Sequence, residues 1–158
     1  MTVPPFAGYG LLVAIIFLGE TGLPLFLPAE LVVIAAGVAA ETGHASLAGV
    51  VASTLLADVC GALALFTLAK YATRSRNARV TGLLDRASRI ARRARAHSVW
   101  TILVGRCVPL LRSPSACAAG LLGMPTPRFA TAAVAASCVW TSVFVGLGYA
   151  LAGEPIRI

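Results

Sequence analysis

Charged side chains are scarce in this sequence: they make up 12% of 158 residues, with only six acidic groups among them. A soluble globular domain carries about a quarter charged residues. Hydrophobic residues reach 58% and the mean hydropathy is +0.87, which excludes an ordinary soluble domain and implies an integral membrane protein. No CxxC pair occurs. Cys60, Cys107, Cys117 and Cys138 lie singly in apolar segments, so they read as small buried apolar residues rather than as a zinc or redox site. Histidine is nearly missing, and His44 and His97 fall in turns on opposite sides of the expected topology. No metal site and no cofactor are expected. The opening "MTVPPFAGYG" has no basic run and no small-residue cleavage site follows it, so no cleaved signal peptide is expected. The net charge of +7 falls mostly in residues 74–95. That segment lacks the aromatic platforms of single-strand binders, so no nucleic acid partner is expected.

The apolar residues fall into segments of two lengths. Residues 11–19 and 31–40 are short legs, each about half of the roughly 20 residues that a spanning helix needs. Between them "ETGLPLFLPAE" carries Gly22, Pro24 and Pro28, which break a continuous helix and predict a re-entrant hairpin. Residues 47–69 are long enough to cross and are followed at once by Lys70 and the arginine block, which places that end in the cytoplasm. Within the block, Val80, Leu83, Leu84, Ala87, Ala91 and Ala94 recur at helical spacing. This predicts either a basic amphipathic helix on the cytoplasmic leaflet or a solvated loop that sets topology. Residues 99–105 and 115–123 are again short legs, separated by Arg106, Pro109, Arg112, Ser113 and Pro114, and residues 129–152 are a second span.

The expected fold is therefore an all-α membrane protein of one domain, residues 1–158. Two re-entrant helical hairpins plus transmembrane helices are arranged as an inverted repeat, with the basic amphipathic surface helix between the halves. The first half is residues 1–70, the linker 71–97 and the second half 98–158. Transporters built this way place their site between the broken helices at mid-membrane.

One hairpin is acidic and the other basic. Glu20 and Glu30 flank the first tip, Asp58 lies near the middle of the first span, and Arg106 and Arg112 belong to the second tip. An isolated charge at the centre of a lipid-facing helix costs about 2.5 to 3.5 kcal/mol on insertion scales, so these groups should face one another or water. Arginine forks grip phosphate oxygens bidentately, which nominates Arg106 and Arg112, with Ser113, as a phosphate-binding set. Burial favours the protonated carboxyl, which nominates Glu20, Glu30 and Asp58 for proton coupling or for ion pairing with the arginines. The plainer alternative is that these charges only lock the hairpins together. Pro114 and Gly120 are read with Gly22, Pro24, Pro28 and Pro109 as hairpin-shaping residues. Tyr71 and Trp100 read as interface anchors, Trp140 as packing, and Gly148 and Gly153 as points where helices approach.

With these residues in place, "ETGLPLFLPAE", the Asp58 span, "GRCVPLLRSPSACAAGLLGM", Phe129, Trp140 and "GYALAG" together resemble the DedA family, also described as the VTT domain superfamily. The Arg-x-x-Pro-x-x-Arg element from Arg106 to Arg112 is the most specific part. Where the family often has a tyrosine on the first span, this chain has Ala62. The resemblance implies a multi-pass protein of the bacterial cytoplasmic (inner) membrane with two facing re-entrant hairpins. Its essential acidic pair falls on Glu20 or Glu30 with Asp58, and its essential basic pair on Arg106 and Arg112. The function it implies is a flippase returning polyprenyl (undecaprenyl) phosphate across the membrane, with proton coupling and no enzyme activity. Other readings are a proton-coupled carrier of a small solute or anion, a phospholipid scramblase and a non-transporting assembly factor. A lipid phosphatase would have only His97 as its acid–base group. The partners expected are membrane lipids, the polyprenyl phosphate headgroup and protons; whether the chain forms a homo-oligomer stays open.

Overall fold

In the computed structural model, residues 5–21, 28–72, 104–106, 108 and 111–153 are described. Gly22, Pro24, Cys107 and Pro109, the basic block at 74–95 with its expected amphipathic helix, His97 and Trp100 lie outside these residues. Five helices carry the described chain: α1 (Pro5–Glu20), α2 (Ala29–Glu41), α3 (Leu47–Ala72), α4 (Arg112–Leu121) and α5 (Thr126–Gly153). No strand occurs among the described residues, and a single helical turn at 104–106 holds Arg106.

Among the described residues only α3 and α5, of 26 and 28 residues, are long and apolar enough to cross a membrane. The outer faces match that setting: Leu56 and Leu68 on α3 and Val139, Val143 and Leu151 on α5 are all exposed. In water such a surface would drive aggregation; against hydrocarbon it costs nothing. The same solvent explains a correction. Cys60 and Cys138 are exposed and Cys117 is half-buried, so these cysteines are apolar surface residues rather than buried ones.

Helices α3 and α5 run antiparallel. Phe66 and Phe129 stack with centroids 4.3 Å apart and planes 6° from parallel. The Lys70 ammonium, near the C-terminal end of α3, donates to the Met124 carbonyl and the Thr126 hydroxyl, both at 3.1 Å, at the start of α5. At the other end Val50 and Ala57 of α3 share one buried cluster with Trp140 and Val145 of α5. Around this pair α1 and α4 pack along α3, while α2 packs along α5. Several seams are close enough to require glycine. A Cβ at Gly120 would strike the Phe66 carbonyl oxygen and Ala69, and a Cβ at Gly148 would strike the Ile34 backbone. Gly37 faces Val145 and Gly148 in the same way. The expectation for Gly148 is met. At Gly153 the neighbouring atom is Glu41 Oε1 at 3.8 Å, so no helix approaches closely there.

The turns into the two spans are built alike. After α2, Gly43 takes φ 77° and the His44 amide donates to the Ala39 carbonyl at 2.9 Å; after α4, Gly123 takes φ 68° and the Met124 amide donates to the Ala119 carbonyl at 3.1 Å. Both are Schellman endings, in which a left-handed glycine reverses the chain and satisfies a helix-end carbonyl.

Two expectations about the hairpins need correction. Pro114 does not lie in a tip. It is the third residue of α4, in the first helical turn, where the missing N–H of a proline costs no helix hydrogen bond. Gly120 likewise bends nothing; it lies inside α4 and sets the α3 seam. Pro28, with φ −62° and ψ 128°, lies immediately before α2.

Candidate functional site

Four charged side chains from four parts of the sequence meet at the centre. Glu20 is the last residue of α1, Asp58 lies near the middle of α3, Arg106 sits in the turn at 104–106 and Arg112 opens α4. All are buried, with Asp58 at 0% and Arg106 at 1% exposure. Arg106 Nη1 lies 3.4 Å from Glu20 Oε2 and its Nη2 lies 3.3 Å from Asp58 Oδ1. Arg112 Nη2 lies 2.8 Å from Glu20 Oε1 and also donates to Asp58 Oδ1. Each arginine thus bridges both carboxylates and each carboxylate holds both arginines. The ring is electrically neutral when all four are ionised. That neutrality is what allows charge at this depth, since a single unpaired member would carry the full desolvation cost.

Local sequence explains how the ring closes. Gly61, one turn after Asp58, faces the end of α1: a Cβ there would fall 2.6 Å from Glu20 Cβ. Its absence lets the acidic end of α1 lie against α3 beside Asp58. Ser113 Oγ donates to the Gly19 carbonyl at 3.3 Å, tying the start of α4 to the end of α1. The Ser115 hydroxyl donates to the Arg112 carbonyl at 2.7 Å.

The fifth charged candidate is elsewhere. Glu30, in the first turn of α2 and half-buried, pairs with neither Arg106 nor Arg112. Ser113 touches the ring's frame rather than its charges. Trp140 has a larger part than packing: the Arg112 guanidinium lies 3.7 Å from the centroid of its ring, a cation–π contact that holds the fork flat and spares it water. Gly61 and Trp140 are the members that sequence reasoning missed. The Gly61 signal was its position one turn from Asp58. Trp140 gave no signal, because its partner comes from a different helix.

A cavity of about 390 Å³ lies away from the ring, between α1, α2 and the turn at 42–46, lined by Tyr9, Leu12, Val32, Ala36 and His44 among others. Its lining holds no carboxylate, lysine or arginine. No group of three or more histidine, cysteine or carboxylate side chains suited to a metal exists among the described residues.

Fold and site together define a helical membrane protein with a neutral, four-membered ring of buried charges between its spans. The VTT domain family model matches residues 27–150, and the chain belongs to that family, the membrane proteins of the DedA type. No curated protein and no solved structure matches it significantly. The matched region contains Asp58, Arg106 and Arg112; Glu20 lies ahead of it and joins the site through the fold.

Proposed function

We propose that this protein is a proton-coupled flippase for a lipid phosphate, with polyprenyl (undecaprenyl) phosphate as the substrate, in a bacterial cytoplasmic membrane. The observation that carries the reading is the ring itself. Both arginine forks are held by carboxylates at 2.8 to 3.4 Å, and carboxylate and phosphate oxygens compete for the same donors. A phosphomonoester carries about two negative charges near neutral pH. Two protons on Glu20 and Asp58 would release both forks, a doubly charged headgroup would take their place, and the site would again be neutral. Proton uptake and substrate binding are then two halves of one exchange, which couples headgroup movement to a pH gradient. The tail remains in lipid throughout.

The multi-pass, inverted-repeat arrangement belongs to the same proposal. Each half contributes a short helix, a Schellman turn on glycine and a span: α2, Gly43 and α3 in the first, α4, Gly123 and α5 in the second. The short helix of each half packs on the span of the other, through Gly37 and Gly148 on one side and Gly120 on the other. Reciprocal packing of this kind is what a two-fold axis in the membrane plane generates. In this frame α1 and α2 form one re-entrant hairpin and the segment through Arg106 with α4 forms the other. The basic block sets the Lys70 end of α3 in the cytoplasm.

Headgroup movement of undecaprenyl phosphate in proteoliposomes tests the reading. Wild type should move the headgroup faster under an inward pH gradient. Arg112→Ala, checked for folding by its elution in detergent, should lose the movement. Full movement in that variant would remove the phosphate role from Arg112. Retained movement in the charge-swapped pair Asp58→Arg with Arg112→Asp would reduce the ring to a lock between hairpins.

A further inference from the structure

Level with the ring and toward the Thr54 end of α3, among the described residues, α3 and α5 present buried polar side chains with no hydrogen-bond partner. These are the hydroxyls of Thr54, Ser137 and Thr141 and the indole N–H of Trp140. The residues are 0–3% exposed. Other hydroxyls on these helices behave differently. Ser53 donates to the Gly49 carbonyl at 2.7 Å, Thr67 to Leu63 at 2.8 Å and Thr131 to Arg128 at 3.0 Å, each on its own helix. That back-bonding is the ordinary resting place of a helical serine or threonine. Thr54, Ser137 and Thr141 forgo it.

Their placement follows from the antiparallel register. Counting from the Phe66–Phe129 stack, Asp58 on α3 comes level with Ser137 on α5, and Thr54 comes level with Thr141. Thr54 lies one helical turn before Asp58 and so shares its face; Ser137, Trp140 and Thr141 share a face of α5 in the same way. Trp140 already touches the ring through Arg112. Within the ring itself Asp58 Oδ2, Arg106 Nε and Arg112 Nε are also buried without partners. On the other side, toward Lys70, the interface is apolar, with Ala62, Phe66, Phe129, Ala132 and Ala133 in one cluster. An unmet buried polar group costs about 1–3 kcal/mol, so a concentration of such groups at one place marks where a partner binds.

We propose that Thr54, Ser137, Thr141 and Trp140 form the neutral donor wall of the anion site, and that they bind the oxygens of a tetrahedral phosphate which the two arginines neutralise. This rests on the phosphate reading above and extends it from charge to recognition. Every member can donate: three hydroxyls that rotate to suit and one indole N–H that can only donate. Such a wall adds hydrogen bonds to the anion without adding charge, so the site stays neutral when the anion has left. It also gives the ligand a side of approach, from the Thr54 end of α3 and away from the Phe66–Phe129 stack. A lipid headgroup and free phosphate share this chemistry.

The test is binding of two probes, farnesyl phosphate and inorganic phosphate, to the purified full chain in detergent at a pH where the wild type binds. The proteins compared are wild type, Thr54→Val, Ser137→Ala, Thr141→Val, Arg112→Ala and the control Thr67→Val. Each wall variant should weaken binding about tenfold or more, because a hydrogen bond to a charged group is lost. Thr67→Val should bind like wild type. In the absence of probe, the wall variants should melt no lower than wild type, since an unmet hydroxyl has been replaced by a methyl group. A merely structural role predicts the opposite, lower melting with unchanged binding. Binding of farnesyl phosphate alone assigns the wall to a lipid headgroup; equal competition by inorganic phosphate assigns it to the free anion. Wild-type affinity in all three wall variants, with binding lost in Arg112→Ala, would overturn the wall and leave the arginine site standing. Wild-type affinity in Arg112→Ala, or binding of neither probe to wild type, would overturn both.

Discussion

The two ends of the α3–α5 interface both hold an apolar cluster but differ in what lies beside it. Toward Lys70, Phe66 stacks on Phe129 and alanines fill the space between helices. Toward Thr54, the same two helices carry a carboxylate, three unpartnered hydroxyls and an indole beneath an arginine. In lipid, burial of apolar groups drives little association, because the tails are as apolar as the protein. The first end therefore coheres through close packing and dispersion, which need only shape. The second end shares in such packing through Val50, Ala57, Trp140 and Val145, but it also holds charges that must be paired. One end is a stable joint; the other is the place where we propose that a ligand replaces the resting contacts.

Asp58→Asn should break the contrast most severely. It leaves Arg106 and Arg112 facing Glu20 alone, and the loss of one member of a buried ion set costs about 3–5 kcal/mol. Thermal unfolding in detergent should show the largest drop of any single substitution, and Glu20→Gln combined with it should cost still more. A melting point equal to wild type would mean that the ring contributes nothing to the fold. Phe129→Ala attacks the other end. The cavity and the lost stack should cost about 3 kcal/mol, yet phosphate binding by protein that remains folded should stay within about twofold of wild type. Lost binding in folded Phe129→Ala would show that the two ends are not separable.

The smallest effects test the seams that hold both ends in register. Gly120→Ala should destabilise by about 1–3 kcal/mol, because the new methyl meets the Phe66 carbonyl and Ala69 and neither helix can shift freely. Gly146→Ala, where nothing lies within 4 Å, should stabilise by up to about 1 kcal/mol through helix propensity. Opposite signs in the two melting curves are the expected result; equal signs would remove close approach as the reason for glycine at Gly120.

Much of this was legible before any coordinates. Segment length separated α3 and α5 from the shorter helices, and the scarcity of charge made Asp58, Arg106 and Arg112 conspicuous. The helix starts were harder. Pro114 suggested a break, but a proline in the first turn is compatible with helix, so α4 begins at Arg112 and not at Ser115. Cysteine burial was misread because apolar side chains at a lipid surface and in a protein core have the same composition. The choice between Glu20 and Glu30 was open in the sequence: both flank the same hairpin tip, and only the seat made by Gly61 selects Glu20.

The sequence by itself determined that this chain lives in a membrane, where its spans lie and which residue types carry its chemistry, because hydropathy and charge are local properties. Tertiary structure decided the rest. Glu20, Asp58, Arg106 and Arg112 become one neutral ring only because α1 and α4 both pack on α3. Trp140, Thr54, Ser137 and Thr141 acquire the role proposed for them only through the register of α5 against α3. Pairing between distant segments depends on packing geometry, and no window of sequence contains it.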